Sequence, residues 1–101
     1  MSKRSKFELF GDILEAIRED ISKNGNARLT RVHGKVNVPY DRFKIYVENL
    51  KETGLVEFDD KEGYQEIQLT ARAFVYLQEY SRVKSFMLAF GLERVSRRVS
   101  E

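Results

Sequence analysis

Residues 37–70 read NVPYDRFKIYVENLKETGLVEFDDKEGYQEIQLT, and the interpretation of this stretch decides the fold. Tyr40, Phe43, Val47 and Leu50 recur at spacings of three and four, which places them on one face of an α-helix, and such a face must be buried. Pro39 suits the first helical turn, where its missing N–H costs nothing, and Gly54 stands where a left-handed residue closes the helix. Beyond Gly54 the period drops to two. Leu55, Glu57 and Asp59 alternate with Val56, Phe58 and Asp60, then Tyr64, Glu66 and Gln68 with Gln65, Ile67 and Leu69. Two strands therefore flank a polar loop over 59–63.

On the N-terminal side, Phe7, Phe10, Ile13, Leu14, Ile17 and Ile21 keep a helical period with Glu8, Asp12, Glu15, Arg18 and Glu19 on the outer face, which predicts an amphipathic helix from Lys6 to about Lys23. Asn24-Gly25-Asn26 breaks it, and Asn26 is placed to cap a shorter second helix over 27–36 that turns Leu29, Val32, His33 and Val36 inward. Three helices followed by a hairpin is the order of a winged helix-turn-helix, mainly α with a small β-hairpin, an α+β domain. Residues 1–5 are polar and basic with nothing to bury and are expected to be disordered. The domain then spans 6–70, and 71–101 forms a C-terminal helix with a basic tail.

Thr70 is a good N-cap for that last helix, which has no Pro and no internal Gly from Ala71 to Phe90. Phe74 and Leu77 are expected to pack on the preceding domain. Tyr76, Tyr80, Val83, Met87 and Phe90, at spacings of four, three, four and three, then form a heptad seam. Left exposed, a seam of that size marks an interface, so a homodimer through this helix is expected. The competing arrangement wraps the same stripe back onto its own core. Leu92, Val95 and Val99 extend the pattern past Gly91, among Ser96, Arg97, Arg98 and Ser100, which suggest fraying.

With 101 residues, 42% hydrophobic and 34% charged, the chain suits one domain with one core. No stretch approaches the roughly 18 consecutive apolar residues of a membrane span, and no apolar segment follows Lys3, Arg4 and Lys6, so a cytoplasmic protein is expected, nucleoid-associated if it binds DNA. With no cysteine it has neither a disulfide nor a thiolate metal site. His33 stands alone, Asp59, Asp60 and Glu62 lack the spacing of a calcium loop, and the glycines form no phosphate loop. Neither an enzyme, a metal nor a cofactor is expected.

Charge distribution is more informative than the net charge of +2. Lys23, Arg28, Arg31 and Lys35 fall in a stretch from Ile21 to Tyr40 that has no acidic residue. On a helix over 27–36, Arg28, Arg31 and Lys35 align along one stripe beside Thr30, along which a phosphate backbone could lie. In a helix-turn-helix the second helix of the pair enters the major groove and the first crosses the backbone. The helix after Pro39 would be the reader, yet its outward face carries Asp41, Ile45, Glu48 and Glu52, with Arg42 and Asn49 on one flank and Lys44 and Lys51 on the other. Contact is therefore assigned to its N-terminal end through Asn37, Tyr40, Arg42 and Lys44, with phosphates held by Arg28, Arg31 and Lys35 and by Lys61 at the wing tip. Double-stranded DNA is the expected partner of a transcriptional regulator or small chromatin protein. The alternative is a winged-helix adaptor that binds a protein through the acidic face and does not bind DNA.

The order of elements, together with Tyr46-Val47, Leu50, Gly54-Leu55-Val56 and Ile67-Gln68-Leu69-Thr70, resembles the archaeal winged-helix family typified by small ten-kilodalton chromatin proteins, over about Lys6 to Phe90. The resemblance implies a C-terminal helix paired with its twin in an antiparallel coiled coil, and two winged domains presented to double-stranded DNA. The chain departs from that pattern at Ala71-Arg72-Ala73, at Pro39 and in an acidic wing turn.

Overall fold

A computed structural model describes residues 5–91. The elements run α1 (Lys6–Asn24), β1 (Ala27–Arg28), α2 (Leu29–Lys35), α3 (Tyr40–Glu52), β2 (Val56–Lys61), β3 (Tyr64–Leu69) and α4 (Ala71–Ala89). Helix α1 starts with a reciprocal cap: the Ser5 hydroxyl accepts from the Glu8 N–H at 3.0 Å, and the Glu8 carboxylate accepts from the Ser5 N–H at 2.9 Å. Ser5 therefore belongs to the helix start, not to a disordered tail; the rest of that segment, 1–4, lies outside the described residues. Gly25 then ends the helix, its N–H donating to the Ile21 carbonyl at 2.8 Å.

The sheet has three strands in the order β1-β3-β2, all antiparallel, where the alternation pattern predicts two. Ala27 pairs with Ile67 and Arg28 with Glu66, so the second helix begins at Leu29, with Arg28 at its N-cap position and Asn26 free to serve elsewhere. Strands β2 and β3 pair from Val56 opposite Leu69 down to Lys61 opposite Tyr64, leaving only Glu62 and Gly63 in the turn. The polar loop expected over 59–63 is thus mostly strand. Gly63 takes φ 85°, as tight two-residue hairpins require of their glycine.

Helix α3 begins after Pro39 and buries Phe43, Val47 and Leu50, as its period predicts. They meet Ile13, Leu14 and Ile17 of α1, Val32 of α2, and Val56 and Ile67 of the sheet in one core. Each of these side chains contributes on the order of 1.5–3 kcal/mol by leaving water. The Thr70 hydroxyl accepts from the Ala73 N–H and donates to the Gly54 carbonyl at 2.7 Å, which ties the start of α4 to the end of α3.

Helix α4 lies differently from expectation. Tyr80 is 2% exposed and faces α1, where a Cβ at Gly11 would sit 2.2 Å from its ring. Only a residue without a side chain lets the ring in. The Tyr80 hydroxyl donates to the Asp12 carboxylate, and the Tyr76 hydroxyl donates to the Phe7 carbonyl at 2.9 Å. Burial pushes the Tyr76 hydroxyl up to about 12, and burial, then the hydrogen bond and charge of Asp12, raises Tyr80 as well. Leu77 is buried as expected, but Phe74 is 52% exposed. Exposed large apolar residues on α4 are Phe74, Val75, Val83, Phe86, Leu88 and Phe90; Val75, Val83, Phe86 and Phe90 share one side of the helix, with the Phe86 and Phe90 rings 4.8 Å apart. The first half of the proposed seam is intrachain core because Gly11 opens a slot for it. Leu92, Val95 and Val99 lie outside the described residues.

Candidate nucleic-acid interface

Asp20, at the end of α1, is fully buried. Its carboxylate accepts from the Arg28 N–H at 3.1 Å, from Asn24 at 2.7 Å and from Arg31 Nε at 3.0 Å. Burial alone would raise the Asp20 pKa, but these donors and the Arg31 charge outweigh it and hold the carboxyl below the usual range. Arg31 also donates to Asn26, to the carbonyl at 3.1 Å and to Oδ1 at 2.7 Å, and Asn26 Nδ2 reaches Glu66 at 3.0 Å. One guanidinium thus ties α1, the β1 approach, α2 and β3 together.

This arrangement corrects the phosphate stripe. Arg28 lies on a strand and Arg31 on a helix, so their side chains do not continue one helical row. The Arg28 guanidinium stacks 3.7 Å from the centre of the Tyr64 ring, and Lys35 Nζ lies 3.5 Å from Glu19. Lys35 and Lys23 hold the Glu19 carboxyl below its ordinary value. The acids missing from the local sequence come from α1, eleven to sixteen residues upstream of their partners in the chain. At the wing, Lys61 Nζ lies 3.2 Å from Asp59, whose hydrogen bond and charge raise the lysine, so this cation too has an acidic partner.

The turn between α2 and α3 is pinned by His33, whose Nε2–H donates to the Val38 carbonyl at 2.8 Å. Its ring stands edge-on to Tyr40 at 5.2 Å and beside the buried Phe43 at 5.0 Å. His33 is therefore a structural clasp for the helix-turn-helix. Tyr40, 43% exposed, leans on this clasp rather than entering the core. Thr30, Asn37, Arg42 and Lys44 are exposed around it, and Lys44 Nζ sits 5.8 Å over the Tyr40 ring. The structure thus gathers Asn37, Tyr40, Arg42 and Lys44 at one end of α3 and removes Arg31 from that group.

Farther along α3 the outward line continues through Ile45, 59% exposed, to Glu48 and Glu52. Lys51 lies on the Lys44 flank, its ammonium 5.3 Å over Phe58. Asp20 and Gly11 were missing from the sequence reading, and Tyr64 entered it only as a strand residue, not as the ring that braces Arg28. Asp20 follows Glu19 on a helix rich in acids, and nothing local separates the buried one from its solvated neighbours. Among the described residues no group of three or more His, Cys, Asp or Glu side chains is placed to hold a metal, and no helix is long and apolar enough to cross a membrane.

The fold is shared with two solved archaeal structures. AF1382 from Archaeoglobus fulgidus superposes with a TM-score of 0.70 at 20% identity, over 79% of this chain and 88% of that one. Sso10a-2, a DNA-binding protein from Sulfolobus solfataricus, superposes with a TM-score of 0.66 at 17% identity, over 93% of this chain and 95% of that one. No functionally curated protein matches the sequence. A family model described as winged helix-turn-helix matches residues 3–87, nearly the whole described chain. With its three-stranded wing, its His33-clasped turn and that match, the chain belongs to the winged helix-turn-helix family.

Proposed function

We propose that the protein is a non-enzymatic, dimeric winged-helix protein that binds double-stranded DNA, as a transcriptional regulator or a small chromatin protein of the nucleoid. The observation that carries the reading is the cluster of Tyr40, Arg42 and Lys44, exposed at the end of α3 that a helix-turn-helix points at its target. Arg42 has no acidic partner among the described residues, in contrast to Arg31, Lys35 and Lys61. Arg28, braced on Tyr64, and the hydroxyl of Thr30 supplement this cluster from the adjoining strand and helix. The fold likeness to a DNA-binding protein supports the same reading. Dimerisation would bring two such ends to one duplex, and the exposed Val75, Val83, Phe86 and Phe90 of α4, with the half-buried Met87 near Val83, are the apolar side chains that support a seam there, whereas Tyr76 and Tyr80 are held within their own chain.

The test is a salt titration of duplex binding. Affinity should fall steeply with salt, and replacing Arg42 and Lys44 together by alanine should weaken binding and flatten the slope by about 2 per protomer. Unchanged binding in that variant would overturn the assignment. A second reading, an adaptor for a basic protein partner, is favoured by the exposed Glu48 and Glu52. It predicts a folded protein with no duplex affinity even at low salt.

A further inference from the structure

The outward face of α3 is ordered in a way that net charge conceals. Asp41, Ile45, Glu48 and Glu52 follow one another at spacings of four, three and four, along the line directly opposite the buried Phe43, Val47 and Leu50. The cations are set off this line to either side, Lys44 and Lys51 on one flank and Arg42 on the other. A helix seated in the major groove has phosphates along its flanks and base edges beneath its outermost line. The helix is therefore cationic where phosphates would run and acidic or apolar where bases would lie.

We infer that Ile45 and Glu48 are specificity-determining residues that read base edges, Ile45 by packing on a thymine methyl group and Glu48 by accepting a hydrogen bond from a cytosine amino group. This rests on the duplex-DNA reading above and deepens it. Ile45 is 59% exposed and stands apart from the inward-facing Phe43, Val47 and Leu50, and the apolar feature it would meet in the major groove is the thymine methyl. The Glu48 side chain is exposed and has no partner among the described residues. Over phosphate it would repel, whereas over the groove floor it meets the amino donors of cytosine and adenine, and a carboxylate matches cytosine. The three-residue separation corresponds to a rise of about 4.5 Å along the helix, between one and two base-pair steps of about 3.4 Å. The preferred site therefore holds a thymine with a cytosine one or two positions away.

Both side chains are on the surface, so their variants should fold. In selection from a random duplex pool, the protein should enrich such a thymine and cytosine pair. Glu48→Gln should shift the second position toward adenine, because a glutamine amide pairs with the adenine edge, and Glu48→Ala should relax it. On the selected site, replacing thymine by deoxyuridine, which lacks the methyl group, should weaken the parent protein several-fold and leave Ile45→Ala unaffected. Salt-sensitive duplex binding with no enrichment, or enrichment unchanged in Glu48→Gln, would overturn the inference while the DNA-binding reading stands. Absence of any duplex binding would remove both.

Discussion

Arg31 on α2 and Arg42 on α3 carry the same guanidinium on neighbouring helices, yet one closes around a buried carboxylate and the other stands in solvent. Arg31 is bound on two sides, by Asp20 and by Asn26, and its loss would strand a charge inside the protein. Arg42 has no such partner among the described residues. A cation becomes structural or available according to what the fold brings opposite it, and residue type alone does not distinguish the two.

The strongest way to break this comparison is to delete each arginine in turn. Arg31→Ala should destabilise the fold by about 2–3 kcal/mol, somewhat less than breaking a fully buried pair because Arg31 keeps some solvent contact, while Arg42→Ala should stay within about 0.5 kcal/mol. Urea unfolding of the two variants measures both, and equal losses would erase the distinction. Asp20→Asn sharpens it further. The depressed Asp20 pKa means that its stabilisation is fully present above the ordinary carboxylate range and is lost as pH falls through the folded value. The parent protein should therefore lose stability below about pH 4 more steeply than Asp20→Asn does.

The same contrast divides the two faces of α4. Gly11→Ala should cost about 1–3 kcal/mol by forcing a methyl group into the Tyr80 ring, with a lower melting temperature as the readout. Phe86→Asp, on the open side, should leave monomer stability nearly unchanged, and if the proposed dimer forms through that side, mass measurement in solution should report a dimer for the parent chain and a monomer for the variant. Alkaline titration probes the closed side more gently. The raised Tyr76 hydroxyl is neutral in the fold while its unfolded counterpart ionises near pH 10, so stability should hold below that and decline between about pH 10 and 12. Tyr76→Phe should show a shallower decline.

Much of the fold was legible because its signals are local. The helical period of Phe43, Val47 and Leu50, the Asn24-Gly25-Asn26 break and the Thr70 cap lie within a few residues of what they determine. Strand β1 was not legible, because the two residues Ala27 and Arg28 carry no alternation and owe their strand geometry to β3, nearly forty positions away. The arginine stripe failed for a related reason. Arg28, Arg31 and Lys35 looked unopposed within their own segment, but Asp20 and Glu19 are brought to them only when α1 packs against α2. The α4 seam was half legible: aromatic spacing marked a buried stripe, and only the slot at Gly11 decided that Tyr76 and Tyr80 fill it from within the same chain.

That slot also acts as a fulcrum. From Tyr80 to Phe90 the helix extends about 15 Å beyond the point where it rests on α1. A change of about 20° in crossing angle, within the ordinary scatter of helix pairs, would swing its tip by roughly 5 Å, more than one base-pair step. If two chains join through that tip and bind DNA as proposed, the seat of Tyr80 on Gly11 sets how far apart they hold their reading heads. On that proposed assembly, a change at this seat, far from DNA, would retune the spacing of the paired sites.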